Sequence, residues 1–577
     1  MSPQSARPTT TAAPAAQAPP APPSADDAVA HTLLNCLLRE VCGPERHSVI
    51  EPDGGHLRLW LARSGTELRV RLRRTSLLGD HRFTGPVSER RGAGWHALSW
   101  SELGRRAHRE LGMRTGAPND EFLGQLASSH AGVAAGLARR AAPPASRYLE
   151  SEQALLFGHR FHPTPKARGT DPTTWAAYAP EARAEFRLRH LAVRSELISQ
   201  ERISAADTAI LDRLGPVPAG YTLLPAHPWQ YELLAGHPRL RAALLRGDIR
   251  DLGEAGPHFA PTASVRTLAG AGVFLKFSLN VRITNCVRKN AAYELSGAVA
   301  LTRALAPIAA RTATRFPDFA ILGEPAYRSL SADVAPELLE GFGVIVRDGL
   351  DTHLRPGTTP LLAAAVAAEY PTGSAHLSRL LDGAGPDDAL HWWEDYLRLL
   401  VPPVLAHYFA HGVVLEPHLQ NVLVAVDAGG RPRQVLMRDM EGTKLLPGPH
   451  AAVLAALPSS VAAPMTYDAR RGWDRVVYCL LVNNIAEMLA ALVDVHPRLE
   501  ARCWALVHAV LAECAAEHRD PEPLRALLAG APLPAKANLL ARWERRADRE
   551  AEYVRIPAPS VGPTPDGAPR TPVRSIR

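Results

Sequence analysis

The sequence predicts an α+β protein of more than one domain. Its 577 residues exceed one ordinary hydrophobic core. Residues 261–288 alternate with period two, and a second run at 412–440 has the form of a β-hairpin. Around these stretches, Ala- and Leu-rich segments recur at helical spacing.

In chain order, residues 1–24 are Pro, Ala, Thr, Ser and Gln, too polar to order, and predict a disordered tail; 556–577 reads the same way. A first folded block, 25–150, opens with an amphipathic helix carrying Val29, Leu33, Leu34, Leu37 and Leu38, with Asp26 or Asp27 as its cap. Two short strands (HLRLWLA and ELRVRLRR) and Ala-rich helices follow. A second block, 151–345, holds the first hairpin and most polar motifs. The third, 346–555, is mainly helical apart from the hairpin at 412–440.

Composition excludes several classes. The chain is 46% apolar and 21% charged, as soluble globular proteins are. Its +7 charge is spread among acids, with no basic run of aromatic spacing, so nucleic acid is not an expected partner. No Cys-x-x-Cys pair occurs among the six cysteines, so zinc and disulfides are not expected and the thiols read as buried and reduced. No membrane span and no signal peptide are read, which makes the expected location cytoplasmic.

The chemistry concentrates in three places. In the first hairpin, Val273, Leu275, Phe277, Leu279, Val281 and Ile283 fall on one face and Lys276, Ser278, Asn280, Arg282 and Thr284 on the other. Ser264 and Arg266 share a face of the preceding strand, across an Ala-Gly-Ala-Gly turn at 269–272. This face has no acid in its own sequence and suits a polyanion; a solvated outer face of the sheet is the alternative. A helix capped by Thr284 or Asn285 is expected to follow, with Arg288 in its first turn beside free N–H groups.

The loop GHRFHPTPKARG gathers His159, His162, Lys166 and Arg168, a carboxylate-binding set rather than a metal site. In the second hairpin, turned at Asp427–Gly430, one outer end carries Glu416, His418, Gln420 and Asn421, and the other Arg438, Asp439 and Glu441. Antiparallel pairing joins those ends, where Asn and Asp can hold magnesium on a nucleotide. An acid five residues before an Asn, with an Asp beyond the next strand, is also the kinase arrangement. Walker, Gly-x-Gly-x-x-Gly and Gly-x-Ser-x-Gly sequences are absent. The tetrad His227-Pro228-Trp229-Gln230 either lines a site or closes a loop.

Taken in order, GHRFHPTPKARG, YAPEARAEF, LPAHPWQ, PTASVRTL, LKFSLNVRITNCVRKN, LEPHLQNVLV and RDMEG resemble the IucA/IucC family of siderophore synthetases, with a weaker match at LPAKANLLARW. Phe157 and Arg160 depart from that pattern, standing where it has His and Pro. The resemblance implies a three-domain cupped hand of thumb, fingers and palm, with an antiparallel sheet in the fingers, usually dimeric. It implies Mg-ATP-dependent adenylation of a carboxylate of citrate or a related acid, then attack by an amine or alcohol, releasing pyrophosphate and AMP. Carried over, Ser264, Arg266, Thr267 and Lys276 grip the ATP phosphates, and His418, Gln420, Asn421 and Asp439 complete the nucleotide site. Asp439 and Glu416 stand near magnesium, and His162, Lys166, Arg168, Thr284 and Arg288 hold the carboxylate. Lys276, Arg288 and His418 are the implied catalytic groups. The competing readings are a kinase-like phosphotransferase and a non-catalytic carboxylate or ferric-siderophore binder.

Overall fold

The computed structural model describes residues 23–138, 144, 146–169, 171–283, 286–368, 377–546 and 552–559. The protein is α+β. Near its N-terminus, strands 48–50, 56–61, 66–74, 82–91 and 94–97 form an antiparallel meander in chain order. Its apolar face packs on helix Ala25–Leu37 and on helices Trp100–Thr115 and Glu121–Ala138. Leu539 and Trp543, from the far end of the chain, complete this core. The first helix is capped by Ser24, whose side chain accepts from the Asp27 N–H; the expected caps Asp26 and Asp27 instead lie in the first turn, where acids favour the helix dipole.

A fully antiparallel eight-stranded sheet follows, in spatial order 198–202, 326–330, 344–347, 273–277, 267–270, 249–261, 186–194 and 221–226. The first hairpin sits at its centre. Thr267 pairs with Lys276 and Gly270 with Val273, and Ala271 and Gly272 both take positive φ (51° and 73°), the twist that a two-residue hairpin turn needs.

Two expectations fail here. Ser264 and Arg266 lie in a turn before the strand, which begins at Thr267. The long strand also breaks at Ser278, whose hydroxyl donates to the Glu340 carbonyl and accepts from the Asn290 N–H. Leu279–Ile283 then pairs with Cys286–Arg288 as a separate ribbon. Arg288 therefore lies on a strand, and the helix starts at Ala292, after Asn290. Thr284 and Asn285 lie outside the described residues.

The second hairpin, Val422–Val426 with Pro432–Met437, lies between Phe319–Ile321 and Thr359–Leu362 in a four-stranded sheet. Phe274 of the first hairpin packs with Leu423 and Leu436 of this sheet, so the first hairpin's polar face is roofed rather than solvated. Ile556, expected to open the C-terminal tail, ends a strand paired with Leu533–Lys536. One helical stretch, Ala469–Val495, is long and apolar enough to cross a membrane, contrary to the sequence reading. Its most apolar 18 residues are all buried in the protein, as in a central core helix, whereas Ala469, Arg470 and Arg471 at its start are exposed. Its middle, Tyr478–Ile485, is π-helical. Cys36, Cys42, Cys479, Cys503 and Cys514 are buried free thiols.

Candidate active site

One cavity of about 1120 Å³ is lined by both hairpins, the GHRFHPTPKARG loop, the π-helical stretch and the C-terminal segment. Of the sequence-predicted site residues, His162, Lys166, Arg168, Ser264, Arg266, Thr267, Lys276, Arg288, Glu416, His418, Gln420, Asn421 and Asp439 all border it.

Lys276 is the centre of the charge network. Its Nζ lies 2.6 Å from Asp439 Oδ1 and 3.0 Å from Glu441 Oε2. Arg266 pairs with Glu441 at 2.7 Å, and Arg347 bridges Asp439 (3.0 Å) and Glu324 (2.5 Å). The face that is acid-free in its own sequence thus meets its acids from the second hairpin. Burial opposes the Lys276 ammonium, but Asp439, Glu324 and Glu441 outweigh it and raise its pKa. Burial likewise opposes the Glu441 carboxylate, yet Lys276 and Arg266 hold it down at about 2. Asp439 is held well below the carboxylate range against burial by Lys276 and Arg347.

Two backbone positions here are strained. Val265, beside Ser264, has φ 69°, and Asp439 has φ 81°. For a β-branched residue such a φ is costly and persists only where surrounding structure dictates it. The turn is fixed by Val265 N–H to the Thr262 carbonyl (2.8 Å) and Thr267 N–H to Ser264 Oγ (3.1 Å).

A metal ion held here would need carboxylates that converge. Asp439 and Glu441 already converge on one cation, the Lys276 ammonium, so this pair fits a divalent ion. Glu416, expected to share that role, is instead 3.3 Å from Arg475 and packs against Gly442, where a Cβ would sit 2.4 Å from its Oε2.

The loop cations stand apart from that cluster. Lys166 (3.5 Å) and Arg168 (2.8 Å) share Glu181, from the YAPEARAEF motif, and Arg168 stacks over Trp175 at 3.7 Å. Lys166 and Arg168 outweigh burial and hold Glu181 at about 2. Two cations on one anion leave one positive charge facing the cavity, where one carboxylate can bind.

His418 and His159 are both lowered by burial, His159 to about 4, so both are neutral imidazoles at pH 7. His159 Nε2 lies 2.8 Å from Asn483 Nδ2, and Asn483 Oδ1 accepts from the Leu419 N–H. Asn484 donates to the Pro417 carbonyl at 2.9 Å. The π-helical turn thus ties the histidine loop to the 416–421 loop that precedes strand Val422–Val426, a use of π-helix common at functional sites.

Sequence reasoning missed Asn483, Asn484, Asn290, Glu324 and Arg347. Two adjacent asparagines inside the apolar run LLVNNIAEML were a readable signal, because a buried amide must find partners. Asn290 donates to the carbonyls of Lys276 and Gly343 and accepts from Arg266. The tetrad at 227–230 is structural: Gln230 bonds the Gly341 carbonyl and the Asn280 N–H, and Trp229 stacks on Tyr178.

Fold and site together define a protein with one large cleft, lined by buried cations and carboxylates, between an antiparallel sheet and a helical region. Residues 147–368 match the IucA / IucC family, and residues 390–551 match the family described as ferric iron reductase FhuF-like transporter. The chain is 31% identical over 497 residues to the rhizobactin siderophore biosynthesis protein RhbC of Rhizobium meliloti, covering 80% of this chain and 84% of that one. It is 29% identical to the N(2)-citryl-N(6)-acetyl-N(6)-hydroxylysine synthase of Escherichia coli, over 86% of this chain and 90% of the relative. Its fold agrees with that of ATP-bound aerobactin synthetase IucA from Klebsiella pneumoniae, with a TM-score of 0.82 at 24% identity, covering 92% and 99% of the two chains. This protein belongs to the IucA/IucC family.

Proposed function

We propose that this protein is an ATP-dependent ligase of siderophore biosynthesis that adenylates a carboxylate of citrate, or of a related polycarboxylic acid, and condenses it with an amine or alcohol. The observation that carries this reading is the meeting, in one cavity, of the Ser264–Lys276 and His418–Asp439 sets with the separate Lys166–Arg168–Glu181 subsite. A volume of about 1120 Å³ exceeds that of most single-ligand pockets and leaves room for two substrates. The relatives support citrate as the acid, since one is named for a citryl product. The ATP-bound fold relative supports the nucleotide.

In this reading Ser264, Arg266, Thr267 and Lys276 take the phosphates, with Gln420 and Asn421 beside the nucleotide. Asp439 and Glu441 hold magnesium, which offsets phosphate charge when bound. Arg288, His162, Lys166 and Arg168 orient the acid, a role the resemblance also gives to Thr284. A carboxylate oxygen attacks the α-phosphorus, the P–O bond to pyrophosphate breaks, and pyrophosphate leaves with the electron pair. Lys276 and Arg266 stabilise the charge that develops there. The nucleophile then attacks the acyl carbon as the bond to AMP breaks, and the neutral His418 takes up its proton. The three-part cupped hand divided near 150 and 345, homodimeric assembly and a cytoplasmic location belong to the same proposal. Incubation with ATP, magnesium, citrate and hydroxylamine tests it. Citryl hydroxamate with stoichiometric AMP and pyrophosphate is expected; ADP with a phosphorylated product would point to the kinase-like alternative.

A further inference from the structure

A short helix, Arg147–Glu152, lies where the two hairpins meet and takes no part in the proposed chemistry. Tyr148 packs in one cluster with Phe274 of the first hairpin and Leu423 and Leu436 of the second, its ring edge-on to Phe274 at 5.8 Å. Ser151 Oγ accepts from the Leu362 N–H at 2.9 Å, which ties the helix to the four-stranded sheet. The last residue, Glu152, is fully buried and meets the cavity wall through Arg438 and Ala263, which both line it.

Glu152 serves both sides at once. Its Oε1 accepts from Arg438 Nη1 at 2.6 Å, and its Oε2 accepts from Arg438 Nη2 at 3.1 Å and from the Ala263 N–H at 3.0 Å. A bidentate pair of this kind fixes orientation as well as distance. Arg438 also donates to the Gln420 carbonyl, from Nε at 3.1 Å and Nη2 at 2.9 Å, and its own N–H bonds the Asn421 carbonyl at 3.0 Å. Burial opposes the Arg438 guanidinium, but Glu152 outweighs it and raises its pKa. The pair is neutral as a whole, so it adds no net charge to the cavity.

What adjoins the pair gives it a task. Ala263 stands two residues before Val265 (φ 69°), and Arg438 stands immediately before Asp439 (φ 81°). Strained backbone persists only where the surrounding structure over-determines it. Glu152, from a third element, touches the chain beside both strained positions. We infer that Glu152 is a positioning residue for the nucleotide: through Arg438 and the Ala263 N–H it holds the Ser264 turn and the Gln420–Asp439 stretch in register, so that both face the same phosphates. The inference rests on the ligase reading.

The test measures KM for ATP and for citrate by hydroxylamine trapping with magnesium, together with urea unfolding midpoints. A misplacement of about 1 Å can cost about 10²-fold. Glu152→Gln, which removes the charge, should raise KM for ATP at least tenfold, while KM for citrate, held on the separate Lys166–Arg168 loop, moves less than twofold. The double variant Glu152→Met/Arg438→Met separates positioning from stability, because apolar replacement of a buried ion pair is often neutral or stabilising. It should unfold at or above the wild-type urea midpoint and still show the raised KM for ATP. Glu152→Asp keeps the charge but is one methylene short of serving both partners; it should raise KM for ATP at least threefold, and it decides the matter if the other variants fail to fold. Wild-type KM for ATP in the folded variants overturns the positioning role, as does an equal rise for ATP and citrate. Absence of any hydroxamate from the wild-type protein instead overturns the ligase reading, and the positioning role with it.

Discussion

Replacing Lys276 by Met removes the charge on which Asp439 and Glu441 converge, at little change in length. Breaking a buried pair that leaves a charge alone costs about 3–5 kcal/mol. Neither acid is left alone here, because Arg347 stays 3.0 Å from Asp439 and Arg266 stays 2.7 Å from Glu441. The stability loss should therefore fall lower, at about 1–3 kcal/mol, and the variant should fold. Catalysis should suffer more. One preorganised donor lost from a developing oxyanion costs about 10²–10³ in rate, or roughly 3–4 kcal/mol of barrier. Citrate-dependent pyrophosphate release, followed by a coupled phosphate assay, measures kcat/KM directly, and circular dichroism checks the fold. A folded Lys276→Met protein within threefold of wild-type kcat/KM would refute the assignment of Lys276 to the phosphates.

Arg288→Ala should lower carboxylate-dependent pyrophosphate release several-fold or more with the fold intact, chiefly through KM for the acid in a citrate titration. Removing divalent cations should weaken ATP binding at least tenfold by calorimetry: Arg266, Lys276 and Arg347 are matched one for one by Glu324, Asp439 and Glu441, so the cluster offers a polyanion no net charge until a metal engages the acids. His227→Phe should change the pH dependence of stability. His227 is fully buried among Tyr178, Phe186 and Phe277 with both ring nitrogens unpartnered, and burial lowers its pKa to about 3. The unfolded chain takes up that proton below about pH 6.5, so the stabilising contribution is complete above 6.5 and is lost as pH falls toward 3. By pH 5 the loss is about 2 kcal/mol. Urea titrations should show the Phe variant gaining that much on the wild-type protein between pH 8 and pH 5, and a pH-independent difference would count against it.

The parts of the fold legible in sequence were those fixed by local period. Strict alternation marked the first hairpin and the Asp-Ala-Gly-Gly turn marked the second; both turns, Ala269–Gly272 and Asp427–Gly430, carry a glycine of positive φ. Alternation could not show where the first strand stops. Leu279 and Val281 continue the apolar pattern, yet they pack with Trp175 and Trp229 in a different cluster from Leu275 and Phe277. The break is made by Ser278, whose hydroxyl meets Glu340 and Asn290, partners 62 and 12 residues away. The late helix start has the same origin. Asn290 is spent on Lys276, Gly343 and Arg266, so the chain before it stays extended.

The candidate site was legible as a set of residues lining one cavity and illegible as a charge balance. An acid-free face with Arg266 and Lys276 reads as a surplus of positive charge when only neighbours in sequence are considered. The acids that cancel it lie 163 residues further on for Lys276 and 175 for Arg266. The loop cations Lys166 and Arg168 differ, because their acid, Glu181, is 13 residues from Arg168 and sits in a motif already singled out. Under the proposed ligase reaction, that contrast gives the two subsites different tasks. The phosphate cluster is neutral as built and needs a metal to release its cations, whereas the loop subsite keeps one positive charge and can hold a carboxylate before any metal arrives. An acid bound first, beside a phosphate site that is recruited only with metal and nucleotide, places the attacking oxygen before the electrophile enters.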